Sequence, residues 1–353
     1  MPVIDEYLKE ILAKKGSDLH FLAGDPPRIR LYGDLQPLRP DKLDKDFVQQ
    51  TLYEIMPKTA VQRFEEHDGA DFAYNMGEYG RFRVNVMRQL NGMGAVMRAI
   101  PSKALTLQQL NLPPAIHQLC RANNGLILVT GKTGSGTSTT LAAMIDDINS
   151  RMKGHILTIE DPIEFVHRRK ECLISQREVG VHTKGFAAAL QSGLREDPDV
   201  VLVGELRDYE TISIAVTAAE MGILVMGTLH TNGAAQTVDR MVNVFPADKQ
   251  SHVRTMLSTS LRGVVSQQLL QKADKSGRVA ALEILVNTPA VSNLIRQGKL
   301  DQLETTMQSG SQFGMRTMDN AIEQLLKDRI ITGKEAYKKG ISKAKFEPVK
   351  DQG

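Results

Sequence analysis

The stretch Gly131-Lys132-Thr133-Gly134-Ser135-Gly136-Thr137-Ser138 decides the fold of this chain, because it places three glycines between an apolar run and a helix-forming run. The apolar run covers residues 126–129, and the helix-forming run covers residues 139–148. Glycines let a loop turn its backbone N–H groups toward phosphate oxygens, and the N-terminus of the following helix adds positive potential. The sequence therefore predicts a nucleotide-phosphate loop with contacts from Gly131, Lys132, Thr133, Gly134, Ser135, Gly136, Thr137, Ser138 and Thr139.

One position of this loop departs from the usual pattern, which has a lysine immediately before the hydroxyl residue that ligates Mg²⁺. Ser138 is that hydroxyl residue here, but the residue before it is Thr137. A charged hydrogen bond to phosphate contributes about 1.5–3 kcal/mol, and loss of one donor to transition-state charge typically lowers a rate by about 10²- to 10³-fold. Lys132 is a candidate to replace part of the missing charge, and a loop that binds nucleotide only weakly is the alternative.

Compact apolar runs predict buried strands from residue 126 onward. They cover residues 126–129, 156–159, 200–203 and 223–225. Helical patterns fill three of the gaps between and around them, as in the spacing of Ile212, Val216 and Ala219. Strands that are buried on both faces and joined by helices predict an α/β fold, with a parallel sheet covered on both sides.

Polar residues follow each of these runs at the point where the predicted strand ends. The first run enters the glycine loop, and the second is followed by Glu160 and Asp161. Glu205 follows the third run, and the fourth leads into Thr228-Leu229-His230. Ligands of open parallel sheets bind beyond the carboxyl ends of the strands, so we expect these groups to converge on one crevice.

Each of these residue types has a specific use at a nucleotide site. Glu205 is the predicted general base toward the attacking water, and Arg207 is one of the arginines expected to stabilise γ-phosphate charge. Glu160 and Asp161, with Ser138, are predicted to hold Mg²⁺, in part through water. His230 is predicted to sense the γ-phosphate. A structural carboxylate at a strand end, or a structural histidine, remains the alternative.

Residues 1–100 predict a small α+β domain with an antiparallel sheet. Residues 28–32 and 82–87 alternate between apolar and polar side chains, and the pairs 33–34 and 91–92 carry turn signals.

Arginines on and after the second of these strands are candidate phosphate ligands. Arg81 and Arg83 share one strand face, and Arg88 and Arg98 follow them. We expect Arg81, Arg83 and Arg98 to reach a neighbouring subunit's phosphates, with a salt-bridged sheet face as the alternative.

The predicted organisation has an N-terminal domain at 1–100, a linker at 101–114, an ATPase domain at 115–290, and C-terminal helices with a tail at 291–353. Met318, Ile322, Leu325 and Leu326 form one apolar helical stripe that predicts packing. The basic residues near the C-terminus are Lys338, Lys339, Lys343 and Lys345, and their simplest interpretation is a solvated tail.

Composition limits the remaining possibilities. The 353 residues carry a formal net charge of only +3, which argues against nucleic acid as the main partner. Cys120 and Cys172 are too few for a disulfide framework or a four-cysteine zinc site and are expected to be ordinary thiols. Neither a signal peptide nor an apolar run of membrane-spanning length is evident, so we expect a cytoplasmic protein.

Taken together, the motifs resemble the PilT type of type IV pilus retraction ATPases within the secretion ATPase superfamily. The resemblance lies in residues 16–20, 80–88, 125–138, 156–165, 195–199, 203–208, 227–231 and 291–296. It implies a PAS-like N-terminal domain, a RecA-like ATPase core, a homohexameric ring and Mg-ATP hydrolysis. It also implies pilin depolymerisation and twitching motility at an inner-membrane platform protein, with a related pilus ATPase as a further candidate partner. Extension and type II secretion ATPases are similar but usually longer and often carry a zinc insert, which favours retraction.

Two features depart from the pattern of this family. Thr137 replaces the loop lysine, and residues 290–297 carry Ser292 and Gln297 where the family has arginine and glutamate. The helix at 290–297 is linked in the family to retraction rather than to hydrolysis. An ATP-driven hexameric motor is therefore the leading hypothesis, and a ring subunit that binds nucleotide weakly, with a structural or regulatory role, is the alternative.

Overall fold

The computed structural model describes residues 2–31, 34–100 and 104–351. The chain divides into two compact units. The first contains residues 1–103 with 164–166, and the second contains residues 104–163 and 167–353. Within the described residues, no helix combines the length and apolar character that a membrane span requires.

The first unit is a six-stranded antiparallel sheet with helices. Its helices are α1 (Ile4–Ala13), α2 (Lys45–Ile55) and α3 (Lys58–His67). Its strands are β1 (Asp18–Leu22), β2 (Arg28–Leu31), β3 (Asp34–Pro37), β4 (Gly69–Asn75), β5 (Arg81–Gln89) and β6 (Gly92–Ile100). The strand order is β3-β2-β1-β6-β5-β4. The sheet confirms the predicted antiparallel α+β arrangement.

Local sequence explains where these elements begin and end. The Asp44 side chain accepts hydrogen bonds from the N–H groups of Asp46 (2.8 Å) and Phe47 (3.2 Å), which starts α2. Strands β5 and β6 pair from Arg81 opposite Ile100 to Gln89 opposite Gly92, so the predicted turn at 91–92 joins them. Tyr32 and Gly33, at the end of the other predicted strand and turn, lie outside the described residues.

The second unit is built on a seven-stranded sheet. Its strands are β7 (Gly125–Thr130), β8 (His155–Glu160), β9 (Leu173–Glu178), β10 (Val200–Val203), β11 (Leu224–Leu229), β12 (Leu261–Gln271) and β13 (Arg278–Val286). The order is β13-β12-β7-β11-β10-β8-β9, and every neighbouring pair is parallel except β12 with β13. All four predicted apolar runs are central strands of this sheet.

Helices cover both faces of this sheet. They are α4 (Pro114–Leu119), α5 (Thr137–Asn149), α6 (Phe186–Gly193), α7 (Tyr209–Glu220), α8 (Ala234–Asn243), α9 (Ala247–Ser260), α10 (Pro289–Gln297), α11 (Leu303–Ser309), α12 (Met318–Lys327), α13 (Gly333–Lys339) and α14 (Lys343–Phe346). Leu126 and Leu128 of β7 belong to one buried cluster, and Ile127 and Val129 belong to another. Since side chains alternate along a strand, the two clusters lie on opposite faces. The predicted α/β class, with a doubly covered parallel sheet, is confirmed.

Part of the segment that we expected to be a linker packs into the second unit. Leu107 and Leu112 are buried in the same apolar cluster as Ile116 and Ile127. Residues 101–103 lie outside the described residues. Apolar burial therefore holds residues 104–114 against the core, which the proline content of this segment did not indicate.

The C-terminal helices form a separate buried cluster on β12 and β13. Met318 and Ile322 are buried in it, with Leu325 and Leu326 packed against it, which confirms the predicted stripe. The solvated-tail interpretation is wrong for Lys343 and Lys345. Lys343 Nζ donates to three backbone carbonyls at the end of α13, those of Tyr337 (2.7 Å), Lys338 (3.0 Å) and Gly340 (3.0 Å).

Lys345 is held by an ion pair with Glu323. Lys345 Nζ lies 2.8 Å from an oxygen of Glu323 and 3.0 Å from Asn320 Oδ1. Hydrogen bonds from Lys327 and Lys345 lower the pKa of Glu323 to about 2. Both lysines therefore serve to pack the C-terminal segment on α12 and α13.

The two cysteines are buried thiols without a disulfide, as expected. Burial raises the pKa of Cys120 to about 12 and raises that of Cys172 above its usual value.

Candidate nucleotide site

The glycine loop joins the end of β7 at Thr130 to the start of α5 at Thr137. Gly131, Gly134 and Gly136 have φ angles of 155°, 82° and 88°, in the region that favours glycine. A Cβ at Gly131 would lie 2.5 Å from both Gln267 O and Ser135 Oγ. The loop therefore requires glycine for its backbone conformation and, at Gly131, for close packing as well.

Gln267 of β12 holds the loop from the neighbouring strand. Its Nε2 donates to Ser135 O at 2.7 Å, and its Oε1 accepts from Thr140 Oγ1 at 2.6 Å. The side chain is buried, and a Cβ at Gly136 would lie 2.7 Å from Gln267 Nε2. Gln267 was not among the predicted site residues. Its signal in the sequence is the polar run Ser266-Gln267-Gln268 between apolar residues of one strand.

Polar groups of the loop are left for a ligand. Ser135 is buried, and its Oγ has no hydrogen-bond partner. Thr137, Ser138 and Thr139 form the first turn of α5, where N–H groups have no partner within the helix. Lys132, like Thr133 and Gly134, is exposed. A buried hydroxyl without a partner and a cradle shaped by glycine both fit a phosphate.

The predicted strand ends do converge, since β7, β11, β10 and β8 are adjacent in the sheet. His230, after β11, links two of them. Its Nδ1 lies 3.3 Å from Gly131 O, and its Nε2 lies 3.3 Å from Glu205 Oε1. The imidazole therefore connects the first glycine of the loop directly to the predicted base.

Glu205 lies at the centre of these contacts. Only 17% of its side chain is exposed, and it forms an ion pair with Arg207, whose side chain is 69% exposed. The hydrogen bond with Glu205 raises the pKa of Arg207 above its usual value. Gly204, just before Glu205, donates its N–H to Ile159 O at 2.7 Å, which joins this end to that of β8.

Glu160 is buried at the end of β8. Its Oε1 accepts from Thr158 Oγ1 at 2.6 Å and from Gln176 Nε2 at 3.2 Å. Asp161, the next residue, is exposed. Glu160 is thus held within the sheet by neighbouring side chains, and Asp161 is the carboxylate that solvent reaches. In the described part of the chain, no three His, Cys, Asp or Glu side chains gather as a metal site.

Three of the four candidate arginines of the first unit pair with acids of that unit. Arg83 lies 3.9 Å from Asp71, and Arg98 lies 2.8 Å from Asp18. Arg88 contacts both Asp68 (2.6 Å) and Glu65 (3.1 Å). Arg81 begins β5 and is partly buried. The salt-bridged sheet face that we considered as the alternative thus describes Arg83, Arg88 and Arg98 within one chain.

Two clefts adjoin the loop in the second unit. A cleft of 590 Å³, here called the basic cleft, is lined by residues 132–135 of the loop and by Arg278, Lys338, Lys339 and neighbouring side chains. A second cleft, of 850 Å³, includes Gly136, Thr139 and Thr140. Both volumes are in the range of small-molecule sites. The sequence analysis did not connect Arg278, Lys338 and Lys339 with the loop, because they are far from it along the chain.

The chain is similar to known proteins over most of its length. A profile of the Type II/IV secretion system protein family matches residues 1–338. The type IV pilus retractation ATPase PilT of Pseudomonas aeruginosa is 50% identical over 328 residues, 93% of this chain and 95% of that protein. The type IV pilus ATPase PilU of the same organism is 39% identical over 332 residues, 94% of this chain and 87% of that protein.

A solved structure extends the similarity to three dimensions. The crystal structure of the pilus retraction motor PilT with bound ADP superposes with a TM-score of 0.91 at 42% identity, covering 99% of each chain. This match confirms the RecA-like fold of the second unit and its C-terminal helical extension. On the family match and on these relatives, this chain belongs to the type II/IV secretion system protein family.

Proposed function

We propose that this chain is an ATPase that powers type IV pilus retraction, and hence twitching motility. Its relatives include a pilus retractation ATPase at 50% identity and a retraction motor with bound ADP. The observation that carries the proposal is the contact of His230 with both Gly131 O and Glu205. The Glu205 carboxylate is thereby held near the first glycine of the loop, where a terminal phosphate would lie.

Each residue of the site has its own role in the reaction. The loop N–H groups and the first turn of α5 bind phosphate oxygens, and Glu205 accepts a proton from the attacking water. His230 orients Glu205 relative to the loop. Arg207 pairs with the same carboxylate and is placed to meet negative charge that develops beside it.

Ser138 and Asp161 would hold Mg²⁺ at this site, and Glu160 would act through water. When bound, the ion would neutralise phosphate charge. The residues that support this assignment are a hydroxyl on the first turn of α5 and an exposed carboxylate next to a buried one.

The assembly proposed for the chain is a homohexamer in which ATP binds between subunits. The N-terminal domain, residues 1–100, closes on the ATPase domain of the next subunit, residues 115–290, and Arg81, Arg83 and Arg98 reach its phosphates. The proposed partners are an inner-membrane platform protein on the cytoplasmic face and a related pilus ATPase, with no role for nucleic acid. Similarity to both PilT and PilU supports a pilus machine.

A second candidate function is a ring subunit that binds nucleotide but turns it over slowly, and Thr137 favours it. Ser292 bears on retraction rather than on turnover, and its hydroxyl contacts the carbonyl of Ser258 and so joins α10 to α9. Retraction by this chain would then depend on the related ATPase.

Steady-state phosphate release separates the two candidates. We expect the chain to hydrolyse ATP faster than its Glu205→Gln variant, and Thr137→Lys to raise the rate by up to about 10²-fold. Thr217→Lys adds the same charge at an exposed position of α7, outside the loop, and serves as the matched control. A parent rate equal to that of Glu205→Gln, with a large gain from Thr137→Lys alone, would contradict the active motor and support the slow ring subunit.

A further inference from the structure

The basic cleft contains cations from three separate parts of the chain. Lys132 comes from the loop, Arg278 begins β13, and Lys338 and Lys339 end α13. Its other lining residues are neutral, and in the part of the chain that the structure describes no Asp or Glu lines it. None of the four cations forms an ion pair with an acidic side chain among the described residues. The cleft is therefore positive and has no acid of its own to neutralise it.

The elements that carry these cations are fixed relative to the loop. Strand β12 holds the loop through Gln267, and the same strand holds α13, because Gln271 N donates to Glu335 Oε1 at 3.1 Å. Ala336 of α13 is buried in the cluster that contains Leu270 of β12. The cleft is thus a built feature of the second unit, in which α13 cannot move far from the loop without breaking buried contacts.

One residue that lines this cleft carries a buried hydroxyl without a hydrogen-bond partner. Ser135 lines it and is only 7% exposed, and its Oγ has no hydrogen-bond partner. A buried hydroxyl without a partner is costly unless a ligand or water satisfies it. At the same time the cation expected within the loop is missing, since position 137 is threonine. The positive charge that a lysine at position 137 would supply is instead carried by Arg278, Lys338 and Lys339, which line the same cleft.

We propose that Lys338 and Lys339, with Lys132 and Arg278, supply the positive charge for the β- and γ-phosphates of a nucleoside triphosphate in place of the absent loop lysine. This inference rests on the proposed function, because it assigns the charge for the same nucleotide. Lysine binds phosphate as a mobile point charge, so it does not need the fixed geometry of the loop position. Since ADP retains a β-phosphate that AMP lacks, the two nucleotides distinguish this role.

A simpler role for Lys338 and Lys339 is to stabilise the C-terminus of α13 through the helix dipole. That role would change the stability of the protein without the nucleotide and would not discriminate ADP from AMP. Lys334 is an exposed lysine of the same helix that does not line the cleft, so Lys334→Gln is a matched control.

The experiment measures ADP and AMP affinity by titration calorimetry in magnesium-containing buffer. It uses the parent chain, the Lys338→Gln/Lys339→Gln double variant and the Lys334→Gln control. We expect the double variant to bind ADP about tenfold more weakly, as loss of charged phosphate contacts would cause, and AMP with less than about twofold change. Lys334→Gln should alter neither affinity. Thermal unfolding without nucleotide checks that each variant folds.

The same double variant made together with Thr137→Lys completes the test. With the loop lysine restored, the tenfold ADP effect should shrink to about threefold or less, because the two sources of charge substitute for each other. An undiminished effect, an equal loss for AMP, or no loss at all would overturn the inference. So would a parent chain that binds no ADP while Thr137→Lys alone binds it. If neither binds ADP, the proposed function itself fails.

Discussion

The two halves of the candidate site differ in how their polar groups are partnered. At the strand ends, His230 contacts both Gly131 O and Glu205, and Glu205 also pairs with Arg207. In the loop, Gln267 of the neighbouring strand donates a hydrogen bond to the backbone, but Ser135 Oγ has no hydrogen-bond partner. The strand-end groups, which are assigned to water activation, are held by other groups of the protein. The glycine loop, which is assigned to phosphate binding, keeps a polar atom without a partner.

This difference shows that the conformation of the site and its charge depend on different residues. Contacts within the protein hold the strand-end groups in place without nucleotide. Glycine conformations and the contacts of Gln267 shape the loop, and neither depends on a lysine at position 137. Thr137 at that position removes a charge. The fold of the site and its strength as a catalyst are therefore set by different residues.

The largest expected effect tests the strand-end half. Glu205→Gln, made in the Thr137→Lys background where turnover is easier to measure, should lower the rate of phosphate release by about 10²- to 10⁴-fold, because an amide cannot accept the proton of the attacking water. Nucleotide affinity should change by less than about threefold.

Glu210→Gln, an exposed acid in the first turn of α7, is the control and should retain the parental rate. If Glu205→Gln kept full turnover, another group would have to activate the water, and the strand ends would be structural.

The second prediction concerns the support beneath the loop. Gln267→Leu leaves Ser135 O and Thr140 Oγ1 without their partner, so the free energy of unfolding should fall by about 2 kcal/mol or more. ADP affinity should fall as well, since the loop loses its anchor. Urea unfolding and calorimetry measure the two effects.

Gln271→Leu, at an exposed position of the same strand, should change the free energy of unfolding by less than about 0.5 kcal/mol. Parental stability and affinity in Gln267→Leu would mean that glycine geometry alone maintains the loop.

The smallest expected effect separates two glycines of the loop. Gly134→Ala and Gly136→Ala both impose a positive φ on alanine, which costs about 1–2 kcal/mol each. Only the new Cβ at 136 meets a neighbour, Gln267 Nε2 at 2.7 Å, while the one at 134 meets open space. Gly136→Ala should therefore be the more destabilising by about 1 kcal/mol.

Thermal and urea unfolding of the two variants measure this difference. Equal stabilities would show that Gln267 shifts freely, and a less stable Gly134→Ala would contradict the packing described here.

Much of the site could be predicted because it lies at the ends of buried strands. An apolar run read from the sequence predicts a strand, and the residue after the run must then lie at the sheet edge. This reasoning located Gly131, Glu160, Glu205 and His230 at one edge, as the adjacent strands show. It could not find Gln267, which lies inside a strand and acts through its side chain alone.

The basic residues of the C-terminal segment show the limit of the same reasoning. Lys343 and Lys345 have the composition of a solvated tail, yet one closes the end of α13 and the other pairs with Glu323. Which lysine is paired depends on contacts between residues distant in sequence, and local composition carries no information about them.

The sequence by itself determined the α/β class, the glycine loop and the absence of its lysine, because these depend on residue type and local periodicity. Only the tertiary structure decided that His230 joins Gly131 to Glu205, and that Arg278, Lys338 and Lys339 line a cleft with Lys132. The physical reason is that strand order and helix packing are settled by long-range burial. Residues that are distant in sequence become neighbours only when the sheet and its covering helices are assembled.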